Sequence, residues 1–190
     1  MDNKIDNQLD IEEIENVLAK ADELYTHSQV SFAFDNMAVE IHQRLHDKHP
    51  LCLCVMIGGL VPAGQLLPLL PFPLEVDYIH ATRYRSTTSG SDLQWIKYPS
   101  ISLEGRTVLI IDDILDEGIT LQAIVKYCQQ AGAQEVLTAV LVEKQLDNRP
   151  GLKKADFTGL TVPNRYVFGY GMDYQGQLRY APGIYAVHGL

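Results

Sequence analysis

The stretch VLIIDDILDEGITL, residues 108–121, runs four apolar residues directly into two adjacent carboxylates, Asp112 and Asp113. A third carboxylate, Asp116, follows with a Gly and a Thr before the pattern becomes helical. A short apolar run that ends in polar residues is typical of a buried strand in a parallel sheet. Ligands of such sheets bind beyond the carboxyl ends of the strands, so we predict a binding site at these carboxylates.

The segments around this stretch alternate between strand and helix patterns. Further apolar or alternating runs predict strands at residues 51–57, 74–80 and 136–143. Helical periodicity predicts helices at about residues 10–25, 31–46, 62–70 and 120–132. Residues 82–95 are polar and predict a loop, whereas the Tyr- and Gly-rich segment from residue 159 predicts extra strands and loops over the site. We therefore predict an α/β fold with a mainly parallel, Rossmann-like sheet flanked by helices.

Composition narrows the class of protein. With 190 residues and 46% apolar content, the chain suits a single domain with a substantial core. The net charge of −9 argues against nucleic acid as a partner, and no apolar run reaches the ~18 residues of a membrane span. The first ten residues lack the pattern of a signal peptide, so we expect a cytoplasmic protein. Its cysteines lie in apolar patterns and are expected to be buried, reduced thiols: Cys52, Cys54 and Cys128.

The turn after the central strand has the chemistry of a phosphate and sugar site. Residues 118–120 open a helix, where free N–H groups and the helix dipole favour an anion. Asp112 and Asp113 suit sugar hydroxyls or Mg²⁺, and Asp116 can reach the reacting centre. The alternative is that Asp116 and Glu117 only cap the helix. A P-loop is excluded, since GxxxxGK[ST] does not occur in the sequence.

Three motifs carry a resemblance to a known family. VLIIDDILDEGITL resembles the phosphoribosyl pyrophosphate motif of type I phosphoribosyltransferases. LKKADFTGLTVPNRYVFGYGMDYQGQLRY, residues 152–180, is similar to the purine-binding hood of the hypoxanthine-guanine members, and VMIGG, residues 55–59, resembles their pyrophosphate loop. The resemblance covers roughly residues 10–190. It implies one phosphoribosyltransferase domain over residues 1–190, with a core at about 30–145 and a small hood from about 1–30 and 150–190.

The resemblance also implies an activity. The enzyme would be a Mg²⁺-dependent purine salvage transferase that moves the 5-phosphoribosyl group from phosphoribosyl pyrophosphate to N9 of hypoxanthine or guanine, giving IMP or GMP and pyrophosphate. Its substrates would be phosphoribosyl pyrophosphate and a 6-oxopurine base. The enzyme would not associate with a membrane, and it would assemble as a homo-oligomer, either a dimer or a tetramer. Two alternatives stay open: a preference for xanthine or another 6-oxopurine, and a nucleotide-sensing regulator on the same fold.

Residue by residue, the resemblance assigns roles within the turn. Asp112 and Asp113 would hold the ribose hydroxyls and contribute to the metal site, and Asp116 would be the catalytic residue at purine N7. The remaining contacts to ribose and 5′-phosphate would come from Glu117, Gly118, Ile119 and Thr120.

The hood would hold the base. Lys154 would donate to the 6-oxo group, Tyr166 would stack on the ring, and Val167 would meet the 2-position through its backbone. An aromatic ring with glycines nearby agrees with this role, because it can approach a flat base closely. Asp173 would orient Mg²⁺ through water.

The sequence departs from the family pattern at the diphosphate end. Pyrophosphate contacts would come from Ile57, Gly58, Gly59 and Arg179, and the mobile loop would carry Arg83 and Tyr84. Ile57 stands where the family usually has Lys or Arg, so this loop would bind through backbone N–H groups. Arg83 replaces the Ser of a Ser-Tyr pair, and Glu117 replaces a small hydroxylated residue.

Overall fold

A six-stranded sheet forms the centre of the molecule in a computed structural model that describes residues 10–83 and 93–189. Its strands, in the spatial order β4-β3-β2-β5-β6-β7, are β2 (Leu51–Met56), β3 (Glu75–Arg83), β4 (Leu93–Lys97), β5 (Thr107–Leu115), β6 (Glu135–Lys144) and β7 (Phe157–Val162). All neighbours are parallel except β3 and β4. The predicted α/β class with a mainly parallel sheet is confirmed.

Three helices cover the two faces of this sheet. On one face α2 (His27–Leu45) and α3 (Leu60–Leu66) pack against the strands, and on the other lies α4 (Ile119–Gln130). The fully buried side chains of α2 include Val30, Ile41 and Leu45, which recur at helical spacing. Burial of each such side chain contributes roughly 1.5–3 kcal/mol, so the amphipathic pattern holds the helix in place.

A second, smaller sheet is built from both ends of the described chain. Strand β1 (Asp22–Tyr25) pairs antiparallel with β9 (Ile184–Ala186), which pairs in turn with β8 (Val167–Phe168). The register places Asp22 opposite Ala186. Helix α1 (Ile11–Lys20) contributes partly buried side chains to the apolar cluster around Phe168. We refer to α1, β1 and residues 166–186, which contain β8 and β9, as the hood.

Several predicted boundaries were wrong at the N-terminal end. The helix predicted to residue 25 ends at Lys20, because residues 22–25 pair with β9. The next helix begins at His27 rather than near residue 31, since Thr26 and Gln29 form a capping box there.

The central strand is longer than predicted. We expected it to end at Ile111, but its pairing with β6 continues to Leu115, opposite Glu143. Asp112 and Asp113 therefore lie within a strand and not in the turn that follows it. The predicted loop over residues 82–95 was wrong at its ends, where β3 runs to Arg83 and residues 93–97 form β4; residues 84–92 lie outside the described part.

Two further sequence predictions concern the cysteines and the absence of a membrane-spanning segment. The three cysteines are buried and free, as predicted. Across residues 10–83 and 93–189, none of the helices combines the length and the apolar character needed to cross a bilayer.

Candidate active site

The carboxyl end of β5 places two carboxylates side by side in the lining of a cleft, with Asp113 buried and Asp112 half-buried. An Asp112 carboxylate oxygen accepts a hydrogen bond from the Asp113 backbone N–H (2.9 Å), and Asp113 accepts one from the Ile114 N–H (2.7 Å). Burial raises the pKa of both carboxyl groups above 3.8, and the neighbouring Asp113 charge raises the pKa of Asp112 further. The Arg179 guanidinium acts in the opposite direction on both. A cation or a hydroxyl donor bound here would favour the ionised pair.

The turn between β5 and α4 presents a helix start to the same cleft. Gly118 occupies the N-cap position with φ 73°, a left-handed conformation that favours glycine. A Cβ at this residue would lie 2.6 Å from the Leu152 carbonyl oxygen, so other side chains are also excluded by space. Residues 116–121 line the cleft. The first-turn N–H groups have no intrahelical acceptor, which makes this turn suited to a phosphate.

The loop after β2 forms the opposite wall of this cleft, which has a volume of about 440 Å³. Ile57 and Gly58 line it, and the peptide bond between Met56 and Ile57 is cis. A Cβ on Gly58 would lie 2.1 Å from an Asp113 carboxylate oxygen, so only glycine lets the loop approach the acidic pair. Gly59 does not line the cleft; it is buried, and its N–H donates to the Val55 carbonyl (2.8 Å).

Arg179 connects the hood to the acidic pair. Its Nη2 lies 2.6 Å from an Asp173 carboxylate oxygen, and its Nη1 lies 3.9 Å from Asp113. The second oxygen of Asp173 accepts from the Gly176 N–H (2.7 Å). Arg179 is thus a cation held at the edge of the cleft, where a diphosphate could replace these carboxylates as the partner of its guanidinium.

A smaller cavity of about 190 Å³ adjoins the cleft and shares Asp113, Ile114 and Asp116 with it. The hood contributes Tyr166 and Val167 to its lining. The remaining wall includes Lys144, Met172 and Asp173. An exposed aromatic ring beside a polar floor suits a flat, polar ring system.

The floor of this cavity carries a charged pair. Lys144 Nζ lies 2.8 Å from Asp116 Oδ2, and Lys144 as a whole is buried at 9% exposure. The pair offers a hydrogen-bond donor and an acceptor side by side, 2.8 Å apart. The N-cap position of α4 is occupied by Gly118, and the hydrogen bond described for the Asp116 side chain goes to Lys144.

The lysine predicted from the sequence is not the one that the structure brings to the cavity. Lys154 is exposed and lines neither the larger cleft nor the smaller cavity. Lys144 was missed although it ends β6, the strand next to β5. The rule that ligands bind at carboxyl strand ends could have identified it.

Other predicted residues fall at the limits of the structure. Arg83 ends β3, but its side chain and the whole of Tyr84 lie outside the described residues. A separate cavity of about 430 Å³ lies between α1 and the C-terminal segment, lined by residues such as Glu13 and His188, and it shares no lining residue with the acidic cleft.

Comparison with known proteins gives a consistent family. The family described as "Phosphoribosyl transferase domain" matches residues 20–175. The hypoxanthine-guanine phosphoribosyltransferase of Bacillus subtilis is 32% identical over 162 residues, which is 85% of this chain and 89% of that protein. The hypoxanthine-guanine-xanthine phosphoribosyltransferase of Tritrichomonas foetus is 31% identical over 161 residues, 85% of this chain and 88% of that protein.

Solved structures show the same architecture. A hypoxanthine phosphoribosyltransferase from Staphylococcus aureus superposes with a TM-score of 0.84 over 94% of this chain and 96% of that chain, at 23% identity. At this identity the likeness concerns the fold, and it agrees with the sheet order and helix placement described above.

Proposed function

The chain belongs to the phosphoribosyl transferase family, and from this membership we propose how its cleft carries out purine salvage. The enzyme moves the 5-phosphoribosyl group from phosphoribosyl pyrophosphate to N9 of hypoxanthine or guanine. The observation that carries this proposal is that Asp116 lines two adjoining sites. One is the acidic cleft at the start of α4, and the other is the smaller cavity that contains an aromatic ring.

The 5′-phosphate binds at the start of α4 in this proposal. Residues 117–120 line the cleft there, and Thr120 adds a hydroxyl to the free N–H groups of the first turn. Glu117 is half-buried, and a carboxylate at a helix start is favoured by the dipole when it points away from the bound anion.

Asp112 and Asp113 hold the ribose hydroxyls, which donate to carboxylate oxygens. Pyrophosphate then lies between Arg179 and the loop carrying Ile57 and Gly58, whose N–H groups replace the basic side chain usual in the family. Two observations support this arrangement. Arg179 and the loop with Ile57 and Gly58 line the same cleft as the acidic pair, and the backbone of Gly58 lies close to the Asp113 carboxylate.

Mg²⁺ fits this donor set as a cation shared with the substrate. Within the described ranges there is no group of three or more acidic, His or Cys side chains that would form a complete protein cage. Mg²⁺ normally keeps several waters and binds through one or two carboxylates together with substrate phosphates. Asp112 and Asp113 would hold it together with the substrate, and Asp173 would orient it through water. When bound, it neutralises charge on the leaving pyrophosphate.

The base binds in the smaller cavity, stacked on Tyr166 with its 2-position toward the Val167 backbone. We assign the 6-oxo contact to Lys144 in place of Lys154, because only Lys144 lines this cavity. The adjacent Asp116 carboxylate accepts the N7 proton. A 6-oxopurine presents an acceptor and a donor at these neighbouring positions, which matches the Lys144–Asp116 pair.

The reaction is a displacement at C1′. The bond from N9 to C1′ forms while the bond from C1′ to the diphosphate oxygen breaks, and the N7 proton passes to Asp116. Positive charge that develops on the ribosyl ring is stabilised by the nearby carboxylates. Holding both substrates across Asp116 supplies the orientation that the bimolecular step needs.

The homo-oligomer expected from the family is part of the proposal. Apolar side chains that are at least two-fifths exposed lie on β3 and at the start of α3: Val76, Tyr78 and Leu60. A stable assembly would bury such groups. Light scattering on the purified protein should give a dimer or tetramer mass, and a monomer at micromolar concentration would contradict this part.

The deciding experiment is a spectrophotometric assay with phosphoribosyl pyrophosphate, Mg²⁺ and each base in turn. Hypoxanthine and guanine should both be converted. Xanthine is included because the Tritrichomonas foetus relative is named for all three bases. If none of the three bases were converted, the proposed function would be wrong.

A further inference from the structure

Arg149 is a buried residue that the proposed chemistry does not use. It is 7% exposed and lies in the loop between β6 and β7. Five hydrogen bonds use all five N–H donors of its guanidinium. One acceptor is a Glu143 carboxylate oxygen (3.1 Å), and the others are backbone carbonyls.

Three of the four carbonyls lie at the carboxyl ends of β5 and β6, which carry the active site, and the fourth is that of Lys153 in the same loop. Nε donates to the Asp116 carbonyl (2.6 Å), and Nη2 donates to the carbonyls of Leu115 and Lys144. Asp116 and Lys144 are the two residues whose side chains pair on the cavity floor. One guanidinium therefore fixes the backbone of both members of this pair.

The residues after Arg149 continue along the turn. Gly151 N–H donates to the Glu117 carbonyl (2.9 Å), and Leu152 N–H donates to the Gly118 carbonyl (3.0 Å). Residues 149–152 thus supply donors to four consecutive carbonyls, those of residues 115–118. The two segments are in direct contact, since a Cβ on Gly151 would lie 2.1 Å from the carbonyl carbon of Gly118.

This pattern determines where the N–H groups of the turn point. The C=O and N–H of one trans peptide unit point in opposite directions. The carbonyls of Asp116, Glu117 and Gly118 point toward residues 149–152, which donate to them. The N–H group of the residue that follows each carbonyl therefore points away from residues 149–152. Those N–H groups belong to residues 117–119, which line the cleft.

We propose that Arg149 is a positioning residue, and that residues 149–152 form a brace that aims the N–H groups of the turn at the 5′-phosphate. The same brace holds Asp116 and Lys144 in register for the base. This inference rests on the proposed function, because it assigns the brace to the phosphate and base sites named there.

The test compares two residues that have similar ion pairs at opposite ends of the sheet. Arg149→Lys keeps the positive charge beside Glu143 but cannot span the carbonyls, and Arg149→Gln removes the charge. The matched control is Arg106, whose Nη2 lies 3.1 Å from Glu75 just before β5, away from the cleft. Its variants Arg106→Lys and Arg106→Gln should lower thermal stability without changing ligand affinity.

Four quantities are measured for each variant: Tm, kcat, KM for phosphoribosyl pyrophosphate and Kd for IMP by calorimetry. We expect Arg149→Lys to raise both KM and Kd by about tenfold and to lower kcat, because both ligands carry the 5′-phosphate. Arg149→Gln should show larger effects in the same direction. If Arg149→Lys kept Kd and kcat within twofold of the wild type while its Tm fell, Arg149 would be only a stability residue and the proposal would be overturned.

A measurement on the unaltered protein covers the case in which the Arg149 variants do not fold. Amide hydrogen exchange should be slow at Gly151 and Leu152 with or without IMP. It should be fast at Gly118 and Ile119 in the free protein and become slow when IMP binds. Fast exchange at Gly151 and Leu152 would overturn the brace. An unaltered protein that converts no base yet shows slow exchange at these two amides would instead refute the proposed function.

Discussion

Asp116 Oδ2 lies 2.8 Å from Lys144 Nζ, so the third carboxylate of the acidic turn is paired with the residue that ends the neighbouring strand. The pair lies where the aromatic cavity meets the acidic cleft. Asp116 lines both cavities, as Asp113 does, and its pairing with Lys144 places it where it can contact the base as well as the sugar.

Asp116→Asn should lower kcat by about 10²-fold, the low end for the loss of an acid-base group. An amide cannot accept the N7 proton, whereas binding of phosphoribosyl pyrophosphate needs Asp116 less. The matched variant Asp112→Asn should instead raise KM for phosphoribosyl pyrophosphate through lost ribose contacts. Steady-state kinetics with both substrates varied would separate the two. A wild-type kcat for Asp116→Asn together with a lower Tm would mean that the residue only supports the fold.

Lys144→Ala should raise KM for hypoxanthine at least about tenfold, because a hydrogen bond from a charged group contributes about 1.5–3 kcal/mol. The affinity for phosphoribosyl pyrophosphate should change little. Lys154→Ala is the control, and it should leave both constants near their wild-type values since Lys154 is exposed and outside the cavity. The reverse result, with only Lys154→Ala affecting the base, would restore the assignment made from the sequence.

Asp112→Asn should stabilise the protein in the absence of Mg²⁺ at neutral pH. Burial and the Asp113 charge raise the pKa of Asp112 above 3.8, so the folded state binds this proton more tightly than the unfolded state. The free energy of unfolding therefore falls as the pH rises from 3.8 through the raised pKa, and the variant avoids this loss. A gain of about 1 kcal/mol corresponds to a Tm rise of roughly 2–4 °C.

The pH dependence is the check on that explanation. Thermal scans at pH 4 and pH 7.5 should show a larger Tm difference between Asp112→Asn and wild type at pH 7.5. A constant difference at both pH values would show that the effect comes from packing and not from ionisation.

Removal of divalent cations should abolish activity, and added Mg²⁺ should restore it. An acidic cleft that receives a diphosphate needs a cation between the two, and Arg179 is the only Arg or Lys side chain among the described residues that line the larger cleft. Initial rates in excess chelator, followed by Mg²⁺ titration, measure this. Full activity in chelator would contradict the assignment of Mg²⁺.

The features that were predictable from the sequence are those set by local pattern. The apolar run of β5 and the acidic residues after it indicated the sheet and the site, because a buried strand and a helix start have strong local signals. Asp116 and Tyr166 were located by their motifs, and the structure brings them to one cavity. Their chemical roles stay predictions.

The features that escaped prediction depend on contacts between distant segments. Strand β1 has only four residues, with no apolar alternation of its own, and it exists because β9 pairs with it. In the sequence, Lys144 is a charged residue at the end of a strand with no further signal of a role. Its position beside the acidic turn follows only from the pairing of β5 with β6. The brace at Arg149 depends on the return of the β6–β7 loop to the acidic turn, which no periodicity reveals.

The pairing of β1 with β9 also bears on how the protein is made. The partner of β1 is nearly the whole described length of the chain away, so β1 leaves the ribosome long before β9 exists. Contacts of such sequence separation form late, because their loop must close first. The parallel core can assemble earlier, and we expect the hood to close only after synthesis has passed Ala186. A ribosome that stalls before that point would then hold a core with a phosphate turn but no closed base pocket, so prematurely terminated chains should not consume phosphoribosyl pyrophosphate.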